Sequence, residues 1–431
     1  MAGVICGQVW ARTWTAPVMA TWTEDPRTTV TLAWERPTVT TARVVYGATE
    51  PSSEPLPLDV QTVEATNAAA RHVVTLRDLM PGTHYRYTVS SSDGYETTGQ
   101  WWTAPAAAQQ PFSFVLLNDL QGGINVAGAK AVAAGVVAAQ PNFVLSAGDL
   151  ADSRYAEDYA GVIRSWELMY ECLEEVFAAG VFQPVAGNHD EPENPDSFWY
   201  RLIELPGDRR DYVFDVGPIR FIMVDATENE AASRTAWLAR ELQRAAYDPA
   251  VTWVIPAFHR PPYSWGERQG DDGIRRLWAP LFTCYEAGLV LSGHAHTYQR
   301  TKSIEGVPYL VSGGAGGWLY SVAADQPEIA FATSVFHFVE FRVEGEHIGL
   351  KARLADGTVF DRADYVAQRH VRVEPAFPVR GENCTIRYNA RGGPLADSEH
   401  VRLHLGRDEF TDALLDLPME RDASGGWTVT F

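Results

Sequence analysis

Five short polar motifs, each directly behind an apolar run rich in β-branched residues, constrain this chain of 431 residues more than any other feature. In chain order they are Asn118-Asp119-Leu120-Gln121, Gly148-Asp149-Leu150-Ala151-Asp152, Gly187-Asn188-His189-Asp190, His259-Arg260-Pro261 and Gly293-His294-Ala295-His296. Runs of this composition predict buried strands of an α/β sheet, so each motif is expected just past a strand end, where such sheets hold their ligands. Carboxylate, amide and imidazole groups that converge from five strand ends form a donor set suited to two adjacent divalent ions.

Composition excludes several classes of partner. The chain carries 35 basic and 55 acidic residues, a net charge of −20, so its field repels nucleic acid and we expect no nucleic-acid partner. No apolar run reaches the length that a membrane span needs. An anionic substrate would also be repelled unless metal ions reverse the sign of the charge locally, and the five motifs supply ligands for such ions.

The first 106 residues have the pattern of an all-β domain. Residues 29–34 and 43–46 alternate between apolar and polar side chains with a period of two. Further along, a Pro81-Gly82 turn precedes Tyr85, which opens another strand. This turn and tyrosine resemble the tyrosine corner of fibronectin type III sandwiches, and we predict a sandwich of that type over residues 1–106.

An alternation of strands and helices begins behind a proline-flanked linker at residues 104–111. Strands are predicted at residues 112–117, 143–146, 181–185, 220–224, 251–257 and 288–291. Helices are predicted at residues 125–139, 157–179, 231–246 and 272–287. This alternation predicts an α/β layered domain over residues 107–366, in a chain long enough for two or three domains.

Residues 367–431 return to a β pattern and predict a partial β-sandwich, because so short a segment is small for a complete one. The pattern resembles the front half of a starch-binding type carbohydrate module, with carbohydrate as its partner and Trp427 as the residue that stacks on a sugar. The alternative interpretation is that Trp427 is a core residue, as a lone tryptophan in a strand usually is.

Taken together, the five motifs resemble those of the calcineurin-like metallophosphoesterase superfamily over about residues 112–366. The similarity is greatest to its purple acid phosphatase branch, because it extends beyond the candidate ligands to His259-Arg260-Pro261-Pro262-Tyr263-Ser264 and Gly293-His294-Ala295-His296-Thr297-Tyr298-Gln299-Arg300. The β-rich segment in front also fits that branch. The resemblance implies an αββα sandwich with two metal ions, and a hydroxide between the ions that attacks a phosphate ester.

The ligands of each ion follow from the same resemblance. Asp149 stands where the family places the carboxylate that bridges the two ions. The first ion would be bound by Asp119, Asp149 and His296, and the second by Asp149, Asn188, His259 and His294. Mixed oxygen and nitrogen ligands suit iron, manganese or zinc, and the pattern does not choose among these metals.

Two positions depart from the purple acid phosphatase pattern. Asp152 replaces the tyrosinate ligand that lies three residues after the bridging aspartate in the purple enzymes, so their charge-transfer colour is expected to be absent. Gln121 stands where many members of the superfamily have a histidine. It is expected either to bind the first ion directly or to hold a water ligand, and the sequence does not decide between the two.

His189 is the candidate proton donor to the leaving group. Related phosphatases pair the corresponding histidine with the residue three positions after the bridging aspartate, and we therefore predict a hydrogen bond between Asp152 and His189. The alternatives are that Asp152 is a solvated loop carboxylate or a helix cap, and that Asp190 is the partner of His189 instead.

Contacts to substrate are less specific in the sequence. Arg260 directly follows a candidate ligand, and it is expected either to contact phosphate or to form a structural ion pair. Tyr298 is predicted to lie near the mouth of the pocket. The segment Phe198-Trp199-Tyr200 forms either an aromatic wall of the pocket or part of the core.

The function predicted from these residues is hydrolysis of phosphate monoesters on a small phosphorylated substrate. A phosphodiesterase is the main enzymatic alternative, and a non-catalytic carbohydrate-binding or surface-binding protein with a decayed site is the alternative from another class. The sequence does not decide the cellular compartment. Residues 1–10 lack the pattern of a signal peptide, whereas flanking sandwich domains are common on secreted enzymes.

Overall fold

The computed structural model describes residues 15–49, 60–106, 110–121, 125–190, 197–227, 231–248, 250–367, 371–374, 383–388, 398–407, 412–421 and 426–431. None of the helices in these ranges combines the length and the apolar character that a membrane span requires.

Strands occupy the two ends of the chain, and strands and helices alternate between them. The first strands are β1 (Ala16–Thr21), β2 (Val30–Thr49), β3 (Gln61–Leu76), β4 (His84–Ser91) and β5 (Glu96–Trp102). The alternating part consists of β6 (Phe112–Leu116), α1 (Val126–Ala139), β7 (Phe143–Ser146), α2 (Tyr159–Ala179), β8 (Val181–Pro184), α3 (Phe198–Leu202), β9 (Tyr212–Val216), β10 (Ile219–Val224), α4 (Ala231–Tyr247), β11 (Trp253–Phe258), α5 (Asp272–Cys284) and β12 (Val290–Ser292). Next come β13 (Tyr298–Thr301), β14 (Tyr309–Ser312), β15 (Ile329–Thr333), β16 (His337–Glu344), β17 (His347–Leu354) and β18 (Val359–Val366). The last strands are β19 (Val371–Glu374), β20 (Thr385–Tyr388), β21 (Arg402–Arg407), β22 (Asp412–Pro418), β23 (Glu420–Arg421) and β24 (Trp427–Thr430).

Two large sheets dominate the described part of the chain. The first has the strand order β18-β17-β16-β6-β7-β8-β1-β2-β4-β5, with β3 also paired to β2, and the second has the order β15-β13-β14-β12-β11-β10-β9. Strands β6, β7 and β8 run parallel to one another, and so do β10, β11 and β12. Each of the five polar motifs therefore follows the carboxyl end of one of these parallel strands.

The two sheets pack face to face through large apolar side chains. Phe114 of β6 contacts Phe221 of β10 edge-on, with ring centroids 5.3 Å apart. Successive residues of β10 alternate between faces, so Phe221 belongs to the core between the sheets while Ile222 packs under α4 and α5. Helices α1 and α2 pack against the first sheet on its other face. The predicted αββα sandwich is confirmed.

Strand β1 joins the N-terminal strands to the central ones, a connection that the sequence does not predict. It pairs antiparallel with β2 and parallel with β8. Beside this junction, the buried Gln183 side chain accepts a hydrogen bond from Trp22 N at 3.0 Å and donates one to Trp22 O at 3.1 Å. Arg201 of α3 forms an ion pair of 2.6 Å with Glu35 of β2, whose side chain is buried. The N-terminal sandwich therefore contacts both sides of the third polar motif.

The predicted tyrosine corner is present. Met80 N donates a hydrogen bond of 2.8 Å to the Tyr85 hydroxyl, and the Tyr85 ring stacks on Trp101 with centroids 5.3 Å apart. The turn between the strands is thereby fixed to the core of the sandwich.

The C-terminal segment forms small sheets of its own within the described residues, with β19, β20, β24 and β23 in one sheet and β21 paired to β22. Trp427 is 4% exposed and packs with Ile386, Tyr388 and Met419. The core interpretation of Trp427 is confirmed, and this side chain is not available to stack on a sugar. Nothing in the described residues of this segment supports carbohydrate binding.

The prediction that Tyr298 lies at the mouth of the pocket is wrong. Its side chain is fully buried between the two sheets, and its hydroxyl donates a hydrogen bond of 2.7 Å to Asp361 Oδ2 in β18. Arg300 binds both oxygens of the same carboxylate, at 2.7 and 2.9 Å. Tyr298 begins β13, whose side chains alternate between faces, and this position faces the core. Its role is to connect the two sheets.

We expect Tyr298→Phe to lower the free energy of unfolding by about 1 kcal/mol, the usual net value of a buried hydrogen bond, because Asp361 keeps its contacts with Arg300. Since Tyr298 lies away from the pocket, KM and kcat for a phosphate ester should not change. Urea denaturation and steady-state kinetics of the same preparation measure both effects. A rise in KM without loss of stability would restore Tyr298 as a substrate contact.

Candidate metal centre

Asn118 holds the strand ends of both sheets together above the core. It is buried, its Oδ1 accepts a hydrogen bond of 2.6 Å from Ala147 N behind β7, and its Nδ2 donates one of 3.0 Å to Ser312 O at the end of β14. The first polar motif thus fixes the distance between the loops that carry the other candidate ligands.

Several candidate ligands adopt left-handed backbone conformations, which are rare for residues with a side chain. The φ angles are 60° at Asp119, 56° at Asp149 and 67° at His294. Backbone hydrogen bonds maintain this conformation, including one of 3.0 Å from Asp119 N to Gly148 O. Backbone reversals of this kind cost free energy. They direct the side chains of residues just past a strand toward the end of that strand.

The second and third motifs approach each other so closely that glycine is required at the contact. Gly148 has a φ of 102°, and a Cβ there would lie 2.3 Å from Gly187 N. A Cβ on Gly187 would lie 2.1 Å from Asp149 Oδ1. Because the two backbones touch, Asp149 and Asn188 are held next to each other.

Two groups of side chains in the described residues are suited to hold metal ions, and they share Asp149. The donor atoms of Asp119, Asp149 and His296 lie within 4.8 Å of one another, and so do those of Asp149, His259 and His294. Each group corresponds to one of the two ligand sets that the sequence predicts. Asp149 occupies the position between them that a bridging carboxylate requires.

Asn188 supplies a further sign that this site is built for cations. Its side chain is 6% exposed, and its buried Oδ1 has no hydrogen-bond partner among the residues that the structure describes. A buried carbonyl oxygen without a donor costs free energy, and a metal ion beside the His259–His294 group would satisfy it. The residues present therefore fit a metal at this position.

The charge balance of the site also favours cations. Burial and the nearby Asp149 carboxylate raise the pKa of Asp119 well above its ordinary value. Burial acts in the same direction on Asp149, but His259 and His189 hold its pKa below the ordinary range. Neither carboxylate pairs with a lysine or arginine in the described ranges. Two buried acids without such a partner are stabilised by bound cations.

Backbone carbonyls orient two of the histidines. His259 Nδ1 lies 2.9 Å from Ala147 O, and His296 Nδ1 lies 2.6 Å from Trp318 O. With Nδ1 directed at a carbonyl, Nε2 of each ring faces a carboxylate, 3.1 Å from Asp149 for His259 and 3.5 Å from Asp119 for His296, as a metal ligand must. Burial lowers the pKa of His296 to about 4, which keeps this imidazole neutral and able to bind a metal.

The hydrogen bond predicted between Asp152 and His189 is confirmed. Asp152 Oδ1 lies 2.5 Å from His189 Nδ1, and the Tyr155 ring packs edge-on against the imidazole at 5.1 Å. His189 Nε2 lies 3.8 Å from Asp149 Oδ2, so this nitrogen points toward the shared carboxylate. Burial would lower the pKa of His189, but Asp152 raises it above the ordinary value.

Asp190 is not the partner of His189 that the sequence analysis offers as an alternative. It is fully buried and does not bind His189. Its oxygens accept hydrogen bonds of 2.8 to 3.0 Å from four backbone N–H groups: those of Asp149, Leu150, Ala151 and Gly187. Asp190 therefore clamps the loop of the second motif to that of the third. The sequence signal for this role is only its place in the third motif.

Gln121 lies beside the shared carboxylate, with its Nε2 3.3 Å from Asp149 Oδ2. It has a positive φ of 44° and is buried, as a residue turned toward the centre of the site would be. It lines the pocket but belongs to neither three-residue group.

The pocket over the candidate ligands has a cavity volume of about 170 Å³ and is mostly polar. Arg260 lines it, and no carboxylate in the described residues pairs with Arg260, so the ion-pair alternative is not observed. The sequence misses four further lining residues, namely Arg154, Tyr155, Arg268 and Tyr320. They lie in irregular loops without periodicity. Phe198 and Trp199 are buried in the core and do not form a wall of this pocket.

Comparison with known protein families agrees with this architecture. Residues 112–298 match the model of the calcineurin-like phosphoesterases, and residues 16–114 match that of the purple acid phosphatase N-terminal domain. The chain carries a calcineurin-like phosphoesterase domain behind a purple acid phosphatase N-terminal domain.

Individual relatives are distant. An uncharacterized protein of Mycobacterium tuberculosis is 25% identical over 54% of this chain and 50% of its own length. Acid phosphatase type 7 of Homo sapiens is 26% identical over 53% of this chain and 56% of its own length. The chain thus spans about half the length of these curated relatives. Purple acid phosphatase PPD1 from yellow lupin has the same fold, with a TM-score of 0.65 at 17% identity over 81% of this chain and 74% of its own.

We expect Asp190→Asn to lower the free energy of unfolding by about 2 kcal/mol or more, because one acceptor oxygen becomes a donor that faces backbone N–H groups. The metal content per chain should fall as well, since the clamp positions Asp149 and Asn188. Glu175→Gln, on the exposed face of α2, is the control and should leave both quantities unchanged. Thermal unfolding and elemental analysis report the two effects. Full stability and full metal content in Asp190→Asn would show that the clamp is dispensable.

We expect two equivalents of metal per chain after incubation with manganese, zinc or iron, together with a rise in the melting temperature. Since Asp152 is engaged by His189 and no tyrosine stands at its position, iron-loaded protein should lack a tyrosinate absorption band in the visible range. Elemental analysis and absorption spectroscopy test both points. Binding of a single equivalent would contradict the shared role of Asp149.

Proposed function

We propose that this protein hydrolyses phosphate monoesters with two metal ions bound by the residues of the five motifs. The observation that carries the proposal is the sharing of Asp149 by two ligand groups, in a pocket that is also lined by Asn188 with its unpartnered, buried Oδ1. The first ion would be held by Asp119, Asp149 and His296, and the second by Asp149, Asn188, His259 and His294. Gln121 is proposed to complete the first set directly or through water.

The bound ions would supply the Lewis acidity that activates water and offsets the charge of the phosphate. Arg260 is proposed to bind a phosphate oxygen, since its buried Nε has no partner among the described residues. A guanidinium in this position also favours the dianionic monoester over the monoanionic diester.

His189 is proposed to donate a proton from Nε2 to the oxygen of the leaving group. Its Nδ1 is held by Asp152, and this contact keeps Nε2 directed into the pocket. The same carboxylate stabilises the protonated imidazole and, against the effect of burial, raises the pKa of His189. Asp152 thus acts through His189 as a positioning residue.

The intact site is evidence against the alternative of a non-catalytic binding protein whose site has decayed. Five of the candidate ligands form the two groups, and backbone hydrogen bonds hold the side chains of Asp119, Asp149, His259 and His296. A decayed site would not retain the strained backbone of Asp119, Asp149 and His294, because such strain persists only where the surrounding structure maintains it.

We expect His189→Ala to reduce kcat more for phenyl phosphate, whose leaving group is a poor one, than for p-nitrophenyl phosphate, whose leaving group needs little protonation. The loss for phenyl phosphate should be about 100-fold or more. His347→Ala, an exposed histidine at the start of β17, is the matched control and should leave both rates unchanged. Equal losses for the two esters would show that His189 is not the proton donor.

The same metal-loaded protein should cleave p-nitrophenyl phosphate faster than bis(p-nitrophenyl) phosphate. Faster cleavage of the diester would assign the site to phosphodiesterase chemistry. If the protein binds both ions and cleaves neither ester, the result would favour the alternative of a non-catalytic binding protein.

A further inference from the structure

The pocket holds more positive charge than one phosphoryl group requires. Arg154, Arg260 and Arg268 all line it, although the chain as a whole has a net charge of −20. The candidate metal ions would already neutralise the phosphate that is cleaved. Arg154 and Arg268 are therefore available for a second anionic group.

No carboxylate in the part of the chain that the structure describes forms an ion pair with these guanidinium groups. Elsewhere in the chain, buried or half-buried arginines pair with carboxylates, as Arg300 does with Asp361 at 2.7 Å. Within the described ranges, Arg154 and Arg268 have no such partner, and the Nε of Arg260 is buried without any hydrogen bond. A buried donor without a partner on a residue that lines the pocket indicates that a ligand supplies the missing acceptor.

Arg154 lies on the side of the pocket where the leaving group is expected. It follows Asp152 by two residues and precedes Tyr155, and both of these neighbours contact His189. Because His189 is the proposed donor to the leaving oxygen, a charge on the leaving group would come within the reach of the exposed Arg154 side chain.

Arg268 packs over a stack of two rings that lines the pocket. Its guanidinium lies 5.3 Å from the centroid of Tyr320, whose ring stacks on His296 at 4.3 Å. The Arg268 side chain is exposed at the mouth of the pocket, while the stack fixes its direction. A planar guanidinium in a fixed orientation suits two-point binding of a phosphate.

We propose that the site selects phosphate esters whose leaving group carries a second phosphate, and that Arg154 and Arg268 bind that second phosphate. This inference rests on the proposed function. Water adds to the phosphorus of the first phosphate, the bond from that phosphorus to the ester oxygen breaks, and His189 protonates the departing oxygen. The products are inorganic phosphate and an alcohol that keeps the second phosphate.

The test compares glucose 6-phosphate with glucose 1,6-bisphosphate on the metal-loaded, full-length chain. The two substrates differ only in the second phosphate. The variants are Arg154→Ala, Arg268→Ala and Arg268→Lys, and the control is Arg164→Ala, an exposed arginine of α2 outside the pocket. Initial rates of phosphate release give kcat/KM for each substrate, and calorimetry gives the two Kd values.

We expect kcat/KM of the unmodified protein to be about tenfold or more higher for the bisphosphate, the effect of one charge-assisted hydrogen bond. Arg154→Ala and Arg268→Ala should each reduce this ratio toward about two, the value set by the number of scissile phosphates. Arg268→Lys should retain part of the preference, and Arg164→Ala all of it. Added salt should reduce the preference of the unmodified protein.

A ratio near two in the unmodified protein, or a preference that survives in both alanine variants, would overturn the inference and leave the proposed phosphatase activity standing. If neither ester is cleaved, the proposed function is wrong, and the Kd values still decide on the second-phosphate site. Tighter binding of the bisphosphate that both alanine variants abolish would support the site, and equal Kd values would refute it.

Discussion

Two carboxylates buried between the ends of two sheets, Asp119 and Asp149, are the constraint on which the rest of the structure depends. Neither pairs with a lysine or arginine among the described residues, and both come from strand ends whose backbone turns into a left-handed conformation. Buried charge of this kind is tolerated only when cations and hydrogen bonds offset it. The four N–H groups bound by Asp190 and the carbonyls that orient His259 and His296 form the surrounding support.

The N-terminal sandwich contributes to that support and is not a loosely attached module. Through β1 it extends the same sheet whose strand β8 leads into Asn188 and His189, and Gln183 completes the hydrogen bonding at the junction. Glu35 binds Arg201 on the other side of the third motif. The segments before and after the candidate amide ligand Asn188 and the proposed acid His189 are therefore both held by the N-terminal sandwich, which suits a site whose groups must keep their relative positions.

Loops outside the candidate metal centre form the wall of the pocket. Arg154, Arg268 and Tyr320 line the pocket above the candidate metal ligands, and under the proposed function they set what can approach the ions. The metal chemistry is shared by phosphomonoesterases and phosphodiesterases, so the wall decides between substrates. Loops that follow strand ends can change without disturbing the sheets, which is why specificity is located there.

The sequence by itself determined the αββα order and the residues of the candidate metal site. Strands and helices of this length have periodic apolar patterns, and parallel strands deliver the residues that follow them to one edge of a sheet. The resemblance to related phosphatases also predicted the contact between Asp152 and His189, which the structure contains. Only the tertiary structure shows that Tyr298 lies between the sheets and that Asp190 accepts hydrogen bonds from the backbone of the second motif. The tertiary structure also brings together the residues that line the pocket, among them Arg154, Arg268 and Tyr320. Those contacts join residues from separate loops. Whether each of these side chains is buried depends on tertiary packing, which a local sequence pattern does not predict.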